Sequence, residues 1–419
     1  MITGTIANSK SVCRLNTGKK HCYSNKSLVQ VPFFDPDADN TSMPRKIFSL
    51  ADARKFARRR MPRMTFDYID GSAGDERACA LNVEAIETLR MLPRVFVNVE
   101  HRSYKKSIFG QTWDLPFGIA PMGMCDLTWP GADAMLARAA REYGIPLVLS
   151  TMASSSIETT AERAGEHAWF QLYVGQSEEV AYHLVERAET VGYTNLMLTV
   201  DVPEIGFRPR EHRNGFQSPV RIGPKQFIDF ALHPHWSLLT LMTGVPKLAN
   251  VNLAGGKKFK RNEARGKVDW EFLARLRERW PGNLIVKGVL GCEDSVRIRD
   301  AGVDAVYVSN HGGRQLDSAP PAIQMLPRIR AAVGPDYPLL FDSGVRNGEA
   351  VIKALALGAD FVFVGRPFLY AMGANGYAGL QQMIELIRSQ VDISLAQLGC
   401  TDIDNIDAGY ILGNEGAGI

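Results

Sequence analysis

The stretch Ser309-Asn310-His311-Gly312-Gly313-Arg314 closes an apolar run, AVYVSN, with a base and places a guanidinium three residues beyond it. An imidazole can take a proton from a hydroxyl or an activated carbon, and arginine grips a carboxylate through two parallel hydrogen bonds. The pair suits oxidation of a small hydroxy acid, whose carboxylate and reacting carbon are adjacent. Asp201, Tyr173 and Arg208 belong to the same group: the carboxylate would orient the imidazole and hold its positive form, and Arg208 adds a second cation for the acid. Gly312 and Gly313 let the backbone turn and keep side chains away from the approach to the base.

Two further groups accompany this one. The DSGVRNG and VGRP turns supply Gly344, Arg346, Gly365 and Arg366, which are glycines, backbone N–H groups and cations suited to a phosphate. A phosphorylated cofactor is implied. Ser150, Gln171, Thr199 and Lys287 offer neutral hydrogen bonds and one cation, which fit the polar edge of a flavin ring and its negative charge on reduction.

These residues need a scaffold that brings them to one place. Eight short apolar runs recur from residue 117 on: 117–120, 147–150, 169–174, 195–201, 284–288, 305–310, 339–344 and 361–366. Each precedes a helix-like segment, several of them ending in glycine. Continuous apolar strands are buried on both faces and therefore parallel. Eight βα units in about 250 residues predict an α/β fold, a (β/α)8 TIM barrel, with active groups at the C-terminal ends of its strands. Met122, Gly123, Ser150, Gln171, Tyr173, Thr199, Asp201, Lys287, His311, Arg314, Asp342, Arg346, Gly365 and Arg366 all stand at such ends.

Helices are expected ahead of the barrel, within 47–100. A long insertion, about 209–268, separates the fourth and fifth strands. From Val220 to Lys267 it carries nine basic residues against Asp229 and Glu263, a net +7 that exceeds the +3 of the whole chain. Phe227, Phe230, Leu232, Trp236, Leu238, Leu239 and Leu241 lie in the same segment. Apolar anchors beside a cationic tract suit an anionic membrane surface, while an active-site lid with a solvated basic tail fits equally well.

The composition, 45% hydrophobic and 22% charged over 419 residues, is that of a globular protein, and +3 gives no ground for nucleic-acid binding. No uncharged apolar run approaches the ~20 residues of a membrane-spanning helix. Cys13, Cys22, Cys79, Cys125, Cys292 and Cys400 show no metal-ligand spacing, so no metal is expected and the thiols are read as reduced. Residues 1–43 hold basic and Ser/Thr/Asn-rich sequence without an acid before Asp35. They are read as a disordered extension, or as lying ahead of a start at Met43, with a single globular domain over 44–419. Their likeness to a transit peptide leaves a mitochondrial location open beside a cytoplasmic one, peripheral on the inner face of the membrane.

From about Ile47 to the end, FGIAPMGM, LSTMASSSIE, WFQLYVG, LTVDVPEIGFRPREHRNGF, LIVKG, SNHGGRQLD, DSGVRNG and KALALGADFVFVGRPFLY stand in one order. That order resembles the FMN-dependent L-2-hydroxy acid oxidases and dehydrogenases. The resemblance implies FMN as cofactor, a small 2-hydroxy acid as substrate and a homotetramer. His311 is then the base, Asp201 its partner, and Arg314 and Arg208 the carboxylate ligands, with Tyr173 on the hydroxyl or ketone oxygen. Lys287 would meet the flavin. The phosphate would lie on Gly344, Arg346, Gly365 and Arg366, and the ring and ribityl chain on Met122, Gly123, Ser150, Gln171, Thr199, Ser309 and Asp342.

Three positions depart from that pattern. Phe66 stands where many members carry a substrate-binding tyrosine, with Tyr68 two residues on; Met152 replaces a tryptophan of the glycolate oxidases; and Gly123 matches the dehydrogenases rather than the oxidases. With the basic insertion, these resemble the membrane-associated lactate and mandelate dehydrogenases. The expectation is oxidation of L-lactate, with L-mandelate next, and electron delivery to a quinone or cytochrome. An oxygen-reducing oxidase is the alternative, and a non-redox FMN-binding isomerase or sensor barrel a remoter one.

Overall fold

The computed structural model describes residues 46–216, 222–251 and 265–413. The expected extension at 1–43, and Arg221, Lys257, Lys258, Lys260, Arg261 and Glu263 of the insertion, lie outside them.

Eight parallel strands close into a barrel: β3 (Phe117–Met122), β4 (Leu147–Ser150), β5 (Ala168–Leu172), β6 (Asn195–Thr199), β7 (Asn283–Val289), β8 (Ala305–Val308), β9 (Leu339–Phe341) and β10 (Phe361–Val364), with β10 paired to β3. The eight apolar runs are these strands, in sequence order. The fold is the (β/α)8 TIM barrel that the runs predict. A short hairpin, β1 (Lys106–Ile108) and β2 (Gln111–Trp113), precedes them, and its Ile108 and Trp113 pack into the barrel's interior cluster.

Side chains alternate between two environments along each strand. Val148, Trp169, Met197, Ile285, Tyr307, Leu340 and Phe363 form the interior cluster, while Leu147, Phe170, Leu198, Val286, Val308 and Phe341 pack outward on the helices. Two residues beyond the interior positions stand Ser150, Gln171, Thr199, Lys287, Ser309, Asp342 and Gly365. The period-2 pleat therefore carries the polar residues onto one inward layer at the C-terminal rim. Register aligns neighbours within it: Ser150 pairs with Gln171, and Thr199 with Lys287.

Three helices come first: α1 (Leu50–Arg60), α2 (Arg63–Asp70) and α3 (Arg77–Thr88). The barrel helices follow as α4 (Ala132–Glu142), α5 (Ile157–Ala164) and α6 (Glu178–Thr190), then, after the insertion, α10 (Trp270–Arg279), α11 (Cys292–Asp300), α12 (Ala322–Val333), α13 (Gly348–Ala356) and α14 (Arg366–Leu398). Ser49, Ser156, Asp269 and Asn347 cap α1, α5, α10 and α13 by accepting from otherwise unpaired first-turn N–H groups.

The described part of the insertion contains three helices, α7 (Pro209–Arg213), α8 (Pro224–Leu232) and α9 (Pro234–Thr243), and an irregular stretch after α9. Its apolar residues divide into two sets. Trp236 and Leu239 are buried, Phe230 is half-buried, and the Trp236 indole N–H donates to the Leu127 carbonyl at 3.0 Å. Trp236 and Phe230, stacked on each other, pack α9 and α8 against the core, and with Leu239 they are not outward anchors. Phe227, Leu232, Leu238 and Leu241 are 60–79% exposed, joined by Ile228 and Met242 at 59% and 71%. Among the described residues no helix is long and apolar enough to cross a membrane.

Candidate functional site

One cavity at the C-terminal mouth is lined by Met122, Gly123, Ser150, Met152, Tyr173, Arg208, Lys287, His311, Arg314, Asp342, Gly344, Arg346, Gly365 and Arg366. The strands, although far apart in sequence, thus bring most of the expected residues together. Gln171 and Thr199 stand directly behind: Ser150 donates to Gln171 Oε1 at 3.0 Å, and the Gln171 amide donates to Thr199 Oγ1 at 2.9 Å.

Lys287, 3% exposed, is held on both sides of its ammonium. It donates to Ser309 Oγ at 2.7 Å and lies 3.0 Å from Asp342 Oδ2, while the Ser309 hydroxyl donates to Asp342 Oδ1 at 2.5 Å. Burial pushes the Asp342 carboxyl upward, but Lys287 and Ser309 outweigh it and leave its pKa below the usual carboxylate value. The pair is internally neutral, and it fixes one cation at the rim of the polar layer.

His311 follows β8 in the left-handed region, φ +59°, with Gly312 and Gly313 at +61° and +77°. A non-glycine residue seldom adopts that conformation, so the turn is held by its surroundings. The His311 backbone N–H donates to Ser309 Oγ at 3.0 Å, and the Gly312 N–H to Ser343 Oγ at 3.0 Å. The glycines serve the turn as expected. The space they free is taken by neighbours: a Cβ on Gly313 would lie 2.5 Å from the Cys79 nitrogen, and one on Gly312 2.9 Å from an Arg366 nitrogen.

The imidazole Nδ1 lies 3.0 Å from Asp201 Oδ1 and Nε2 3.3 Å from the Tyr173 hydroxyl. A carboxylate at Nδ1 holds the proton there and leaves Nε2 as acceptor. Burial draws the His311 pKa below its ordinary value, against the opposing pull of Asp201, so the neutral, proton-accepting form is favoured. Burial likewise drives the Tyr173 phenol upward, with Asp201 adding to it, so Tyr173 keeps its proton.

Arg314 donates through one nitrogen to the Tyr68 and Gly71 carbonyls, both at 2.8 Å. Arg208 is 9% exposed and donates to the Arg314 carbonyl at 3.3 Å. Glu211, which the sequence reading passed over, bridges them: Oε1 is 3.2 Å from Arg208 and 3.1 Å from Arg314. Its spacing from Arg208, i to i+3 across the first turn of α7, was the available signal.

Phe66 is placed differently from the expectation. It is 3% exposed and stacks on Tyr370, centroids 6.2 Å apart, and does not line the cavity. Tyr68 does; its hydroxyl donates to the Gly123 carbonyl at 3.2 Å and the Arg314 guanidinium lies 5.2 Å over its ring. Residues two apart on a helix face nearly opposite ways, so α2 turns Phe66 to the core and Tyr68 to the mouth.

The insertion returns to the cavity as well. Arg265 is 7% exposed, lines the mouth and lies 4.7 Å over the Tyr173 ring. Its backbone N–H donates to the Pro203 carbonyl at 2.7 Å. Leu248 and Val251 pack with Met152 and Tyr173, and the Ala249 N–H donates to the Ala153 carbonyl at 3.0 Å. By composition Arg265 is one charge of the insertion's basic tract; in the fold it is a buried residue of the mouth.

At the other end of the cavity Arg346 and Arg366 stand with Gly344 and Gly365. Arg366 donates to the carbonyls of Gly312, Gly71 and Ile69 at 2.9, 3.0 and 3.1 Å, and Arg346 to the Val345 carbonyl at 3.0 Å. Among the described residues neither forms an ion pair with a carboxylate. Burial, then the neighbouring Arg366, lowers the Arg346 pKa. Two adjacent cations without a counter-ion fit a phosphate, and the polar layer around Lys287 fits a flavin edge, so the residues present suit FMN. Among the described residues no cluster suits a metal ion, and Cys79, Cys125, Cys292 and Cys400 are free thiols.

The FMN-dependent dehydrogenase family matches residues 57–412. The chain is 40% identical over 380 residues to the (S)-mandelate dehydrogenase of Pseudomonas putida, which covers 89% of this chain and 96% of that relative. It is 35% identical over 375 residues to an L-lactate dehydrogenase of Pseudomonas syringae pv. syringae, covering 87% and 98%. Among solved structures, a monotopic membrane (S)-mandelate dehydrogenase superposes with a TM-score of 0.83 at 39% identity, over 87% of this chain and 99% of its own. A mandelate oxidase does so with a TM-score of 0.74 at 34% identity, over 87% and 98%. With the barrel and its polar rim, these likenesses establish that the chain belongs to the FMN-dependent 2-hydroxy acid dehydrogenases, flavoprotein oxidoreductases that act on CH–OH donors.

Proposed function

We propose that this protein oxidises an L-2-hydroxy acid to the 2-oxo acid at the His311 mouth and passes the electrons to a quinone or cytochrome at a membrane. The single observation that carries the reading is the His311–Asp201 contact of 3.0 Å, set beside two arginines in one cavity. Arg314 and Arg208 bind the substrate carboxylate, and Tyr173 and Tyr68 meet its oxygens. His311 Nε2 then takes a proton from the substrate while Asp201 holds the resulting imidazolium. Bound FMN supplies the two-electron acceptor. Lys287 sits where its charge favours the reduced ring, with Ser150, Gln171, Thr199, Ser309, Asp342, Met122 and Gly123 on the ring and ribityl chain. Gly344, Arg346, Gly365 and Arg366 hold the phosphate.

The carboxylate and hydroxyl are common to lactate and mandelate. Met152, Val202 and Ile205 supply the apolar wall for the substituent that distinguishes them. Anaerobic bleaching of the flavin with L-lactate, L-mandelate and glycolate tests the class: the first two are expected to bleach it faster than glycolate, and no bleaching by any of them rejects the reading in favour of a non-redox barrel. His311→Gln is expected to retain FMN and lose reduction. Normal reduction in that variant overturns the assignment of the base.

A mandelate oxidase among the similar structures makes an oxygen-reducing enzyme the second reading. Peroxide formed at the turnover rate under air selects it; slow peroxide with rapid quinone reduction selects the dehydrogenase. Peripheral attachment at the inner face of the cytoplasmic membrane is proposed on the exposed apolar rows of α8 and α9 and the monotopic relative. A homotetramer is proposed on the family likeness, to be read from the mass of the solubilised holoenzyme.

A further inference from the structure

Two guanidiniums in one buried pocket repel each other, and one carboxylate oxygen, Glu211 Oε1, accepts from both. Glu211 is 6% exposed, and its Oε1 accepts from Arg208 at 3.2 Å and from Arg314 at 3.1 Å. The second nitrogen of Arg314 is occupied by the Tyr68 and Gly71 carbonyls. Burial, and after it Arg208, brings the Arg314 pKa down to about 10, and Glu211 works against both. The segment is itself clamped: Arg210, one residue before Glu211, donates to Glu76 Oε1 and Oε2 at 2.6 Å each and to Asp70 Oδ2 at 2.7 Å. Glu211 is thus fixed from behind by its own helix and faces two cations in front.

This arrangement leaves one net positive charge among the three groups. A 2-hydroxy acid brings one negative charge, and so does the 2-oxo acid that must leave. A second positive charge would bind both more tightly, because charges several ångströms apart in a partly dry site still interact by a few kT.

We propose that Glu211 is a positioning residue that spaces Arg208 and Arg314 and weakens their hold on a carboxylate, so that the 2-oxo acid product can be released. The proposal rests on the reading above that the two arginines bind the substrate carboxylate. Glutamine keeps the accepting oxygen and removes the charge. Glu211→Gln therefore changes the electrostatics while preserving the spacing, and a merely structural role predicts the opposite sign from the one expected here.

The test measures binding of a 2-oxo acid, pyruvate or phenylglyoxylate, to the oxidised holoenzyme by perturbation of the flavin spectrum. Glu211→Gln is expected to bind at least about tenfold more tightly than wild type, with KM lowered and kcat lowered further, while Glu211→Asp, which keeps the charge, stays near wild type. Glu211→Ser, a smaller neutral side chain, is made in parallel. Equal or weaker binding in whichever neutral variant retains FMN overturns the proposal, as does loss of FMN from both, which assigns Glu211 to folding. Arg314→Met separates the underlying reading: unchanged 2-oxo acid binding there shows that the carboxylate subsite itself is misplaced, whatever the Glu211 variants do.

Discussion

Gly288 lies against the carboxylate of Asp201: a Cβ at Gly288 would stand 2.4 Å from Asp201 Cγ, and the glycine's φ of +99° is one that side chains resist. The register of β7 on β8 shifts at this residue, between Lys287 and Val289. The irregularity lets one strand present Lys287 inward and still leave room for the group that orients His311. Gly288→Ala should displace Asp201 while leaving Lys287 and the cofactor site in place. The expected result is retained FMN with flavin reduction slowed about 10²-fold, because misplacement of about 1 Å costs that much. Stopped-flow reduction at saturating substrate checks it.

The acid limb of the reaction should report His311. Its pKa in the folded protein lies below the ordinary value near 6.5, chiefly through burial, so the neutral base persists to lower pH and reduction falls only as pH drops through that depressed value. Stability follows the same sign: because the unfolded imidazole takes up a proton more readily than the folded one, His311 costs stability below about pH 6.5 and nothing above it. Asp201→Asn removes the group that opposes the shift. It should move the limb to still lower pH and slow reduction by roughly 10²–10⁴-fold, as read from the pH profile of the reduction rate.

The mouth is braced by ion pairs from the N-terminal helices. Asp70 accepts from Arg54 at 2.6 and 2.9 Å, from Arg210 at 2.7 Å and from the Tyr370 hydroxyl at 2.8 Å. Burial opposes the ionised form, but these donors prevail and hold the carboxyl far below its usual range. Its contribution is therefore present above about pH 4 and lost as pH falls below that. Asp70→Asn leaves two arginines short of their partner and should cost about 3 kcal/mol. Thermal unfolding at pH 7 measures the loss. Because Arg210 also carries the Arg208–Glu211 segment, a raised KM should accompany it.

Membrane attachment predicts a different sensitivity for the two sets of apolar residues on α8 and α9. Leu238→Glu with Leu241→Glu places charge on a face that is 60% and 79% exposed, and should release the enzyme from the membrane fraction without loss of flavin reduction. Trp236→Ala empties a buried site and should cost about 3–5 kcal/mol instead. Sedimentation with membranes and thermal melting tell the two apart; a Leu238/Leu241 variant that still sediments rules out this surface as the anchor.

Tyr68→Phe tests the residue that took the place expected of Phe66. Its hydroxyl reaches Gly123 at 3.2 Å, and its loss should raise KM for every hydroxy acid by roughly 3–30-fold, a net hydrogen bond or two. Phe66→Leu should alter stability and leave KM alone, by comparison of steady-state kinetics with melting temperature.

Strand periodicity carried most of this protein into view from its sequence. A strand's side chains alternate, so the last inward residue of each run is decided locally; Ser150, Gln171, Thr199 and Lys287 could be read off run by run, and His311 from its place in the glycine turn just past its run. Their convergence follows once eight such runs close into a barrel. Phe66 and Tyr68 were not separable in that way, because which face of α2 meets the mouth depends on what packs against the helix, here Tyr370 of α14. The same holds for Trp236, turned inward on α9, and for Leu238, turned outward. The place of Arg265 and the reach of Glu211 to Arg314 were decided by tertiary structure; only the i to i+3 spacing of Glu211 from Arg208 is local. Arg265 reaches Tyr173 across 92 residues of chain and Glu211 reaches Arg314 across 103, and a contact over such separations is fixed by the closure of the barrel and the folding back of its insertion, not by any local pattern.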